Sequence, residues 1–149
     1  GISDPGYRIA AAAIEAGHTV EAIPGPSAVQ TALVVSGLPT SSYTFKGFAP
    51  KKSGARVRFF AEEADRPHTL VAFESPFRIA SCLADALTAL GDRQAAVCLE
   101  LTKKFERVNR GFLSDLVREF DRTTAKGEIT LVVAGNHPKF TRATDDITN

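Results

Sequence analysis

Residues 69–101 read TLVAFESPFRIASCLADALTALGDRQAAVCLEL, and this stretch decides the fold class. Its opening, TLVAF at 69–73, is a short β-branched and aromatic run, which predicts a buried strand. Glu74-Ser75-Pro76 ends it. Across 77–90, Ile79, Leu83, Leu87 and Leu90 recur at helical core spacing, and Gly91-Asp92 closes the helix. AAVCLEL at 95–101 predicts a second buried strand. Strand, helix and strand in succession mean layered α/β structure.

The pattern continues in both directions. Downstream, 105–112 predicts a shorter strand. Residues 113–120 form an amphipathic helix with Leu113, Leu116, Val117 and Phe120 on one face. A polar turn at 123–127 leads to EITLVVA at 128–134, a third buried strand. The last dozen residues read as a frayed tail. Upstream, a helix is expected over 55–64, a polar, basic loop over 50–54 and a strand over 43–48. Ser27 is placed to cap a helix running to Ser36, with Gly37 ending it. HTVEAI at 18–23 alternates like a strand, and Pro24-Gly25-Pro26 marks a boundary. Before it, Ser3 or Asp4 caps a helix with Pro5 in its first turn, apolar at Ile9, Ala12, Ala13 and Ala16.

Composition excludes several classes. The chain has 149 residues, 44% hydrophobic and 23% charged, with net charge +1. That is ordinary for a globular domain and too neutral for one that binds nucleic acid by bulk charge, though a local patch remains open. No apolar run approaches the roughly 20 residues of a membrane helix, so no membrane partner is expected. Cys82 and Cys98 lie in apolar segments, which predicts reduced core thiols and a cytoplasmic setting. His18, His68 and His137 lack ligand spacing, so no metal is expected. The start at Gly1 reads as a cut within a longer protein.

Three polar clusters fall near strand ends, where open α/β sheets gather ligands. They are Glu74-Ser75-Pro76-Phe77-Arg78, then the run from Glu100 to Glu106, then Lys126-Gly127-Glu128. The last precedes its strand while the others follow theirs, so a shared site requires a mixed sheet. Each cluster also has a plain reading. Glu74 and Ser75 suit a helix cap, Glu100 with Lys103 and Lys104 a surface pair, and Lys126-Gly127 a turn. Yet Glu100 closes an apolar strand, where a carboxylate needs a partner such as Lys103 or Arg78. GxSxG, CxxC, HExxH, P-loop and GxGxxG motifs are absent. The residues alone lead to an α/β domain with a polar cleft.

A resemblance carries further. Ile2-Ser3-Asp4-Pro5-Gly6-Tyr7-Arg8, Pro24-Gly25-Pro26-Ser27-Ala28, Ser36-Gly37-Leu38-Pro39-Thr40 and the block from Gly47 to Gly54 resemble signatures of the class III, tetrapyrrole-methylase-like S-adenosylmethionine methyltransferases. So do Phe73-Glu74-Ser75-Pro76, the run from Glu100 to Glu106, Arg110-Gly111 and Lys126-Gly127-Glu128. The match is closest to the branch that 2′-O-methylates a cytidine ribose in 16S ribosomal RNA. The chain departs from that branch at Phe77 and Asn109, where His is usual, and at Leu99, where Arg is usual.

The resemblance implies a mixed-sheet C-terminal α/β domain of a two-domain enzyme. Residues 1–23 would end the N-terminal, donor-binding domain, 24–135 would form the C-terminal domain, and 136–149 a tail. The implied donor is S-adenosylmethionine, held by Pro26, Ser27, Phe73, Glu74, Ser75, Leu101, Thr102, Lys126, Gly127 and Glu128. Lys103 is the expected catalytic cation, oriented by Glu100. Lys51, Lys52 and Arg56 are expected on RNA phosphates. The implied partners are 16S rRNA in the small ribosomal subunit and a second copy of the chain. Without the glycine-rich first domain, weak donor binding and no activity are expected of this segment. Two alternatives stand beside this reading: a small-molecule, tetrapyrrole-type methylase, and a non-catalytic binding or dimerisation fragment.

Overall fold

The computed structural model describes residues 6–21, 27–122 and 125–143. The elements run α1 (Gly6–Glu15), α2 (Ala28–Ser36), β1 (Tyr43–Phe48), α3 (Ser53–Ala61), β2 (Thr69–Glu74), α4 (Ile79–Leu90), β3 (Asp92–Leu99), β4 (Arg107–Phe112), α5 (Leu113–Asp121), β5 (Ile129–Val133) and β6 (Thr141–Arg142). The sheet order is β1-β2-β5-β3-β4, with β6 paired to the start of β3. β1 and β2 are parallel, and β5 runs antiparallel to both β2 and β3. The sheet is therefore mixed, as the positions of the polar clusters require.

The central strands read as unbroken apolar runs because both faces are covered. Leu70, Ala95, Val97, Leu99, Ile129, Leu131 and Val133 pack with Phe60, Ile79, Leu83, Leu113, Leu116 and Phe120 of α3, α4 and α5. Their neighbours in the period-two alternation, Val71, Ala96, Cys98 and Val132, face Val29, Ala32 and Leu33 of α2. Cys82 and Cys98 are buried, free thiols on opposite faces. Ser27 caps α2, its hydroxyl accepting from the Gln30 N–H, and Gly37 ends it in the left-handed region at φ 74°.

Three boundaries differ from expectation, for physical reasons. β3 begins at Asp92 rather than 95. The polar Asp92-Arg93 pair looks like a turn, but both residues are buried and partnered. Asp92 accepts from the Ser114 N–H (2.9 Å), the Ser114 hydroxyl (2.7 Å) and Arg142 Nε (2.6 Å). Arg93 donates to the carbonyls of Ala64 and Ala134. Second, part of the expected frayed tail has regular structure. Pro138–Phe140 makes a 3₁₀ turn, and Thr141–Arg142 pairs with Asp92–Arg93. Third, residues 18–21 form no strand. The rest of that expected strand, Pro24-Gly25-Pro26 and the cap at Ser3 or Asp4 lie outside the described residues.

Candidate active site

Topology collects the polar clusters at one end of the sheet. β2 and β3 end there in Glu74 and Leu99-Glu100, and antiparallel β5 starts there after Gly127-Glu128. In register, Glu74 sits opposite Ile129, and so does Leu99. A cleft of about 380 Å³ opens at this end, lined by Ala28, Phe48, Phe73, Glu74, Ser75, Pro76 and the segment Gly127–Thr130. That size and the apolar, aromatic lining suit a small-molecule site.

Glu74 supplies the buried charge. Its Oε1 accepts from the Ser75 N–H (2.7 Å) and from Arg78 Nε (3.2 Å). Its other oxygen, Oε2, is buried with no hydrogen-bond partner. That oxygen is sealed from solvent, so it belongs to the packing beneath the cleft, next to Cys82 on α4, rather than to the surface a ligand would touch. Burial, and next the Glu74 charge, push the Cys82 thiol well above its ordinary value. Thus Cys82 is no nucleophile at neutral pH.

The second and third clusters are one hydrogen-bonded unit. The Glu100 N–H donates to the Glu128 carbonyl (3.0 Å), and Glu100 Oε1 accepts from the Glu128 N–H (2.9 Å). Lys103 Nζ lies 3.3 Å from Glu100 Oε2 and 3.6 Å from Glu128 Oε2. The hydrogen bond that Lys103 donates to Glu100, then the two carboxylate charges, raise the Lys103 ammonium above its ordinary value. Lys103 is therefore a cation at neutral pH, not a base. The loop is strained: Glu100 (φ 51°) and Thr102 (φ 63°) occupy the left-handed region without being glycine. Such conformations persist only where the surroundings impose them, and they cluster at functional sites. Here Glu128 pins one end of the loop, and Glu106 Oε1 accepts the Thr102 N–H.

Gly127 is required by contact as well as by its φ of 80°. A Cβ there would lie 1.3 Å from Glu100 Oε1. The carboxylate occupies the space a side chain would take.

The expected donor residues divide. Phe73, Glu74, Ser75, Gly127 and Glu128 line the cleft, and Ser27 precedes its lining residue Ala28. Lys126 lines a neighbouring groove with Glu100. Leu101 is packed in the core against α2, and Thr102 is exposed. Pro26 lies outside the described residues. Sequence reasoning missed Phe48 as a lining residue, although it stands in the quoted Gly47–Gly54 block. Its ring packs edge-on against Phe73 at 5.4 Å. Among the described residues, no group of three His, Cys, Asp or Glu side chains is placed to hold a metal, and no helix is long and apolar enough to cross a membrane.

The basic loop needs one correction. Lys51 and Lys52 are exposed, but Arg56 is 3% exposed and cannot reach a phosphate. Its Nε donates to Asp85 Oδ2 (2.8 Å), and Asp85 also accepts from the Ser53 hydroxyl. A buried guanidinium needs such a carboxylate. Arg56 also donates to the Lys51 carbonyl (3.5 Å), so it holds α3 and the loop onto α4.

A model of the tetrapyrrole (corrin/porphyrin) methylases matches residues 1–117. The chain belongs to that family. Two solved methyltransferases share the fold at low identity. The methyltransferase CobJ has a TM-score of 0.60 at 15% identity, covering 87% of this chain and 56% of its own. The cobalt precorrin-4 methyltransferase CbiF has a TM-score of 0.55 at 16% identity, covering 87% and 57%. Among curated relatives, a Mycobacterium tuberculosis protein named ribosomal RNA small subunit methyltransferase I is 54% identical over 138 residues. A Streptococcus pyogenes protein of the same name is 44% identical over 134 residues. These alignments cover 92% and 90% of this chain but 48% and 47% of the relatives. The chain thus spans about half the length of the curated relatives it matches.

Proposed function

We propose that this chain is part of an S-adenosylmethionine-dependent methyltransferase that 2′-O-methylates a cytidine ribose in the 16S RNA of the small ribosomal subunit. The observation that carries the reading is an apolar cleft at one end of a mixed sheet with Glu74 and Gly127-Glu128 in its lining, and Glu100 and Lys103 bonded to Glu128 beside it. The names of the 54% and 44% identical relatives support the RNA substrate over a tetrapyrrole. A homodimer working in the cytoplasm belongs to the same proposal.

The cleft fits the donor by size and by its apolar, aromatic lining. Phe48, Phe73 and Ile129 would take its apolar parts, and Glu74 and the backbone around Gly127 its polar ones. When bound, S-adenosylmethionine supplies a methyl group on a positively charged sulfur. In the transfer, a ribose oxygen–methyl carbon bond forms as the methyl carbon–sulfur bond breaks, and the hydroxyl proton leaves to a base or solvent. Lys103, paired with the cleft residue Glu128, is the cation suited to stabilise negative charge developing on that oxygen. Glu100 and Glu128 hold the ammonium in place. Alignment of the two reactants contributes as well.

The test uses the full-length protein, small subunits lacking the modification and methyl-labelled donor. The expected result is label in 16S RNA, recovered after nuclease digestion as a ribose-methylated cytidine. Label transferred to a tetrapyrrole but not to RNA would overturn the proposal.

A further inference from the structure

Behind the Glu100–Glu128–Lys103 unit lies a second concave surface that the donor cleft does not use. It is a groove of about 500 Å³ lined by Leu99, Glu100, Phe105, Arg107, Ala125 and Lys126. Phe105 is 78% exposed. It stands on a loop of charged residues. Lys104 places its ammonium 5.6 Å from the ring centroid. Arg107 and Lys126 are exposed beside it. Arg107 donates through Nε to Asn109 Oδ1 (2.7 Å), which orients its guanidinium. Among the described lining residues the acidic one is Glu100, which already holds Lys103 and the Glu128 N–H. The groove thus presents an aromatic face flanked by cations.

We infer that this groove binds a single-stranded segment of the RNA next to the acceptor nucleotide. One unpaired base stacks on Phe105, and adjacent phosphates meet Arg107 and Lys126. The inference rests on the RNA reading above and names a contact surface for it. Stacking platforms set among cations are how proteins hold single strands without reading sequence, since every base offers a π-face. A phenyl ring has no hydrogen-bonding group, so Phe105 selects for an unstacked base rather than for its identity. A continuous duplex offers no such base. The Glu100–Glu128 partition is shared with the donor cleft, so a strand in the groove runs directly up to the reacting centre.

The test uses the full-length protein and a short oligocytidylate as probe. Phe105→Ala should weaken oligocytidylate binding by about 5- to 150-fold. The slope of log affinity against log salt should stay the same, because no phosphate contact is lost. Arg107→Ala and Lys126→Ala should each flatten that slope by about 0.7. The 149 residues contain no tryptophan. In Phe105→Trp, fluorescence measured as a difference from wild type should be quenched by the oligonucleotide. Donor affinity of Phe105→Ala should match wild type. Unchanged oligocytidylate affinity in Phe105→Ala overturns the inference, and so does a loss of donor affinity in its place. If wild type methylates small-subunit RNA and Phe105→Ala does so equally well, the groove assignment fails and the proposed activity stands. If wild type does not methylate RNA yet Phe105→Trp is quenched, the activity fails and the surface stands.

Discussion

Replacing Gly127 by alanine tests the joint between the polar clusters directly. Two costs add. An L-residue held in the left-handed region at φ 80° loses about 1–2 kcal/mol. The new Cβ would also lie 1.3 Å from Glu100 Oε1, 2.3 Å from Cδ and 2.8 Å from Cγ, so the carboxylate must swing away. That breaks its 2.9 Å bond to the Glu128 N–H. A hydrogen bond to a charged group contributes about 1.5–3 kcal/mol when fully buried. The Glu100 side chain is 23% exposed, so about 1–1.5 kcal/mol is the better figure. The total is about 3 kcal/mol, or a fall in Tm of about 6–12 °C. A double-mutant cycle in the full-length protein separates the two costs. In a Glu100→Ala background the clash is gone, and Gly127→Ala should cost only the backbone part, about 1–2 kcal/mol. Equal costs in both backgrounds would refute the claim that Glu100 fills the space above Gly127.

Three further outcomes follow from the same structure. Breaking the buried pair by Arg56→Ala should destabilise the protein by about 3 kcal/mol in denaturant unfolding, because Asp85 loses its charge partner, whereas Lys51→Ala with Lys52→Ala should leave stability within about 0.5 kcal/mol. Burial raises the Cys98 thiol to about 12; because the folded value exceeds the unfolded one, the stability tied to this thiol is complete below about pH 9 and declines between about pH 9 and 12, and alkylation at pH 8 should label neither Cys98 nor Cys82 until the protein is unfolded. Lys103→Ala should lower kcat in single-turnover methyl transfer with donor and RNA affinity near wild type, as befits a group that acts in the transition state; an unchanged rate would remove Lys103 from the reaction.

The strands were largely legible in the sequence: 69–73 and 129–133 as continuous apolar runs bounded by turn residues, and the partly exposed β1 and β4 from the runs at 43–48 and 105–112. Asp92-Arg93 was illegible. A buried charge looks like a surface charge until its partner is known, and the partner of Asp92 is 50 residues away. Arg56 misled in the same manner: beside Lys51 and Lys52 it reads as part of a basic patch, and only Asp85 on α4 shows where it points. At the candidate site, chemical type was readable and direction was not. Glu100 demanded a partner because it closes an apolar strand, and Lys103 three residues on was a local candidate. Its bond to the Glu128 N–H depends on β5 running antiparallel to β3, and no local pattern states that. Phe48 joined the cleft through the parallel pairing of β1 with β2, again a long-range fact.

The partnership of Asp92 with Arg142 also has a consequence in time. A chain emerges from the ribosome at about 5–20 residues per second. The carboxylate of Asp92 is therefore made about 3–10 s before the guanidinium that neutralises it. In that interval β3 can pair with β4, and Ser114 can supply its two donors, but the first residues of the strand hold a charge with no countercharge. Sheet and helices alone leave the fold open at that end. Its closure waits on Arg142, so a nascent protein interrupted a few residues short of 142 carries the sheet and its helices around an unneutralised anion.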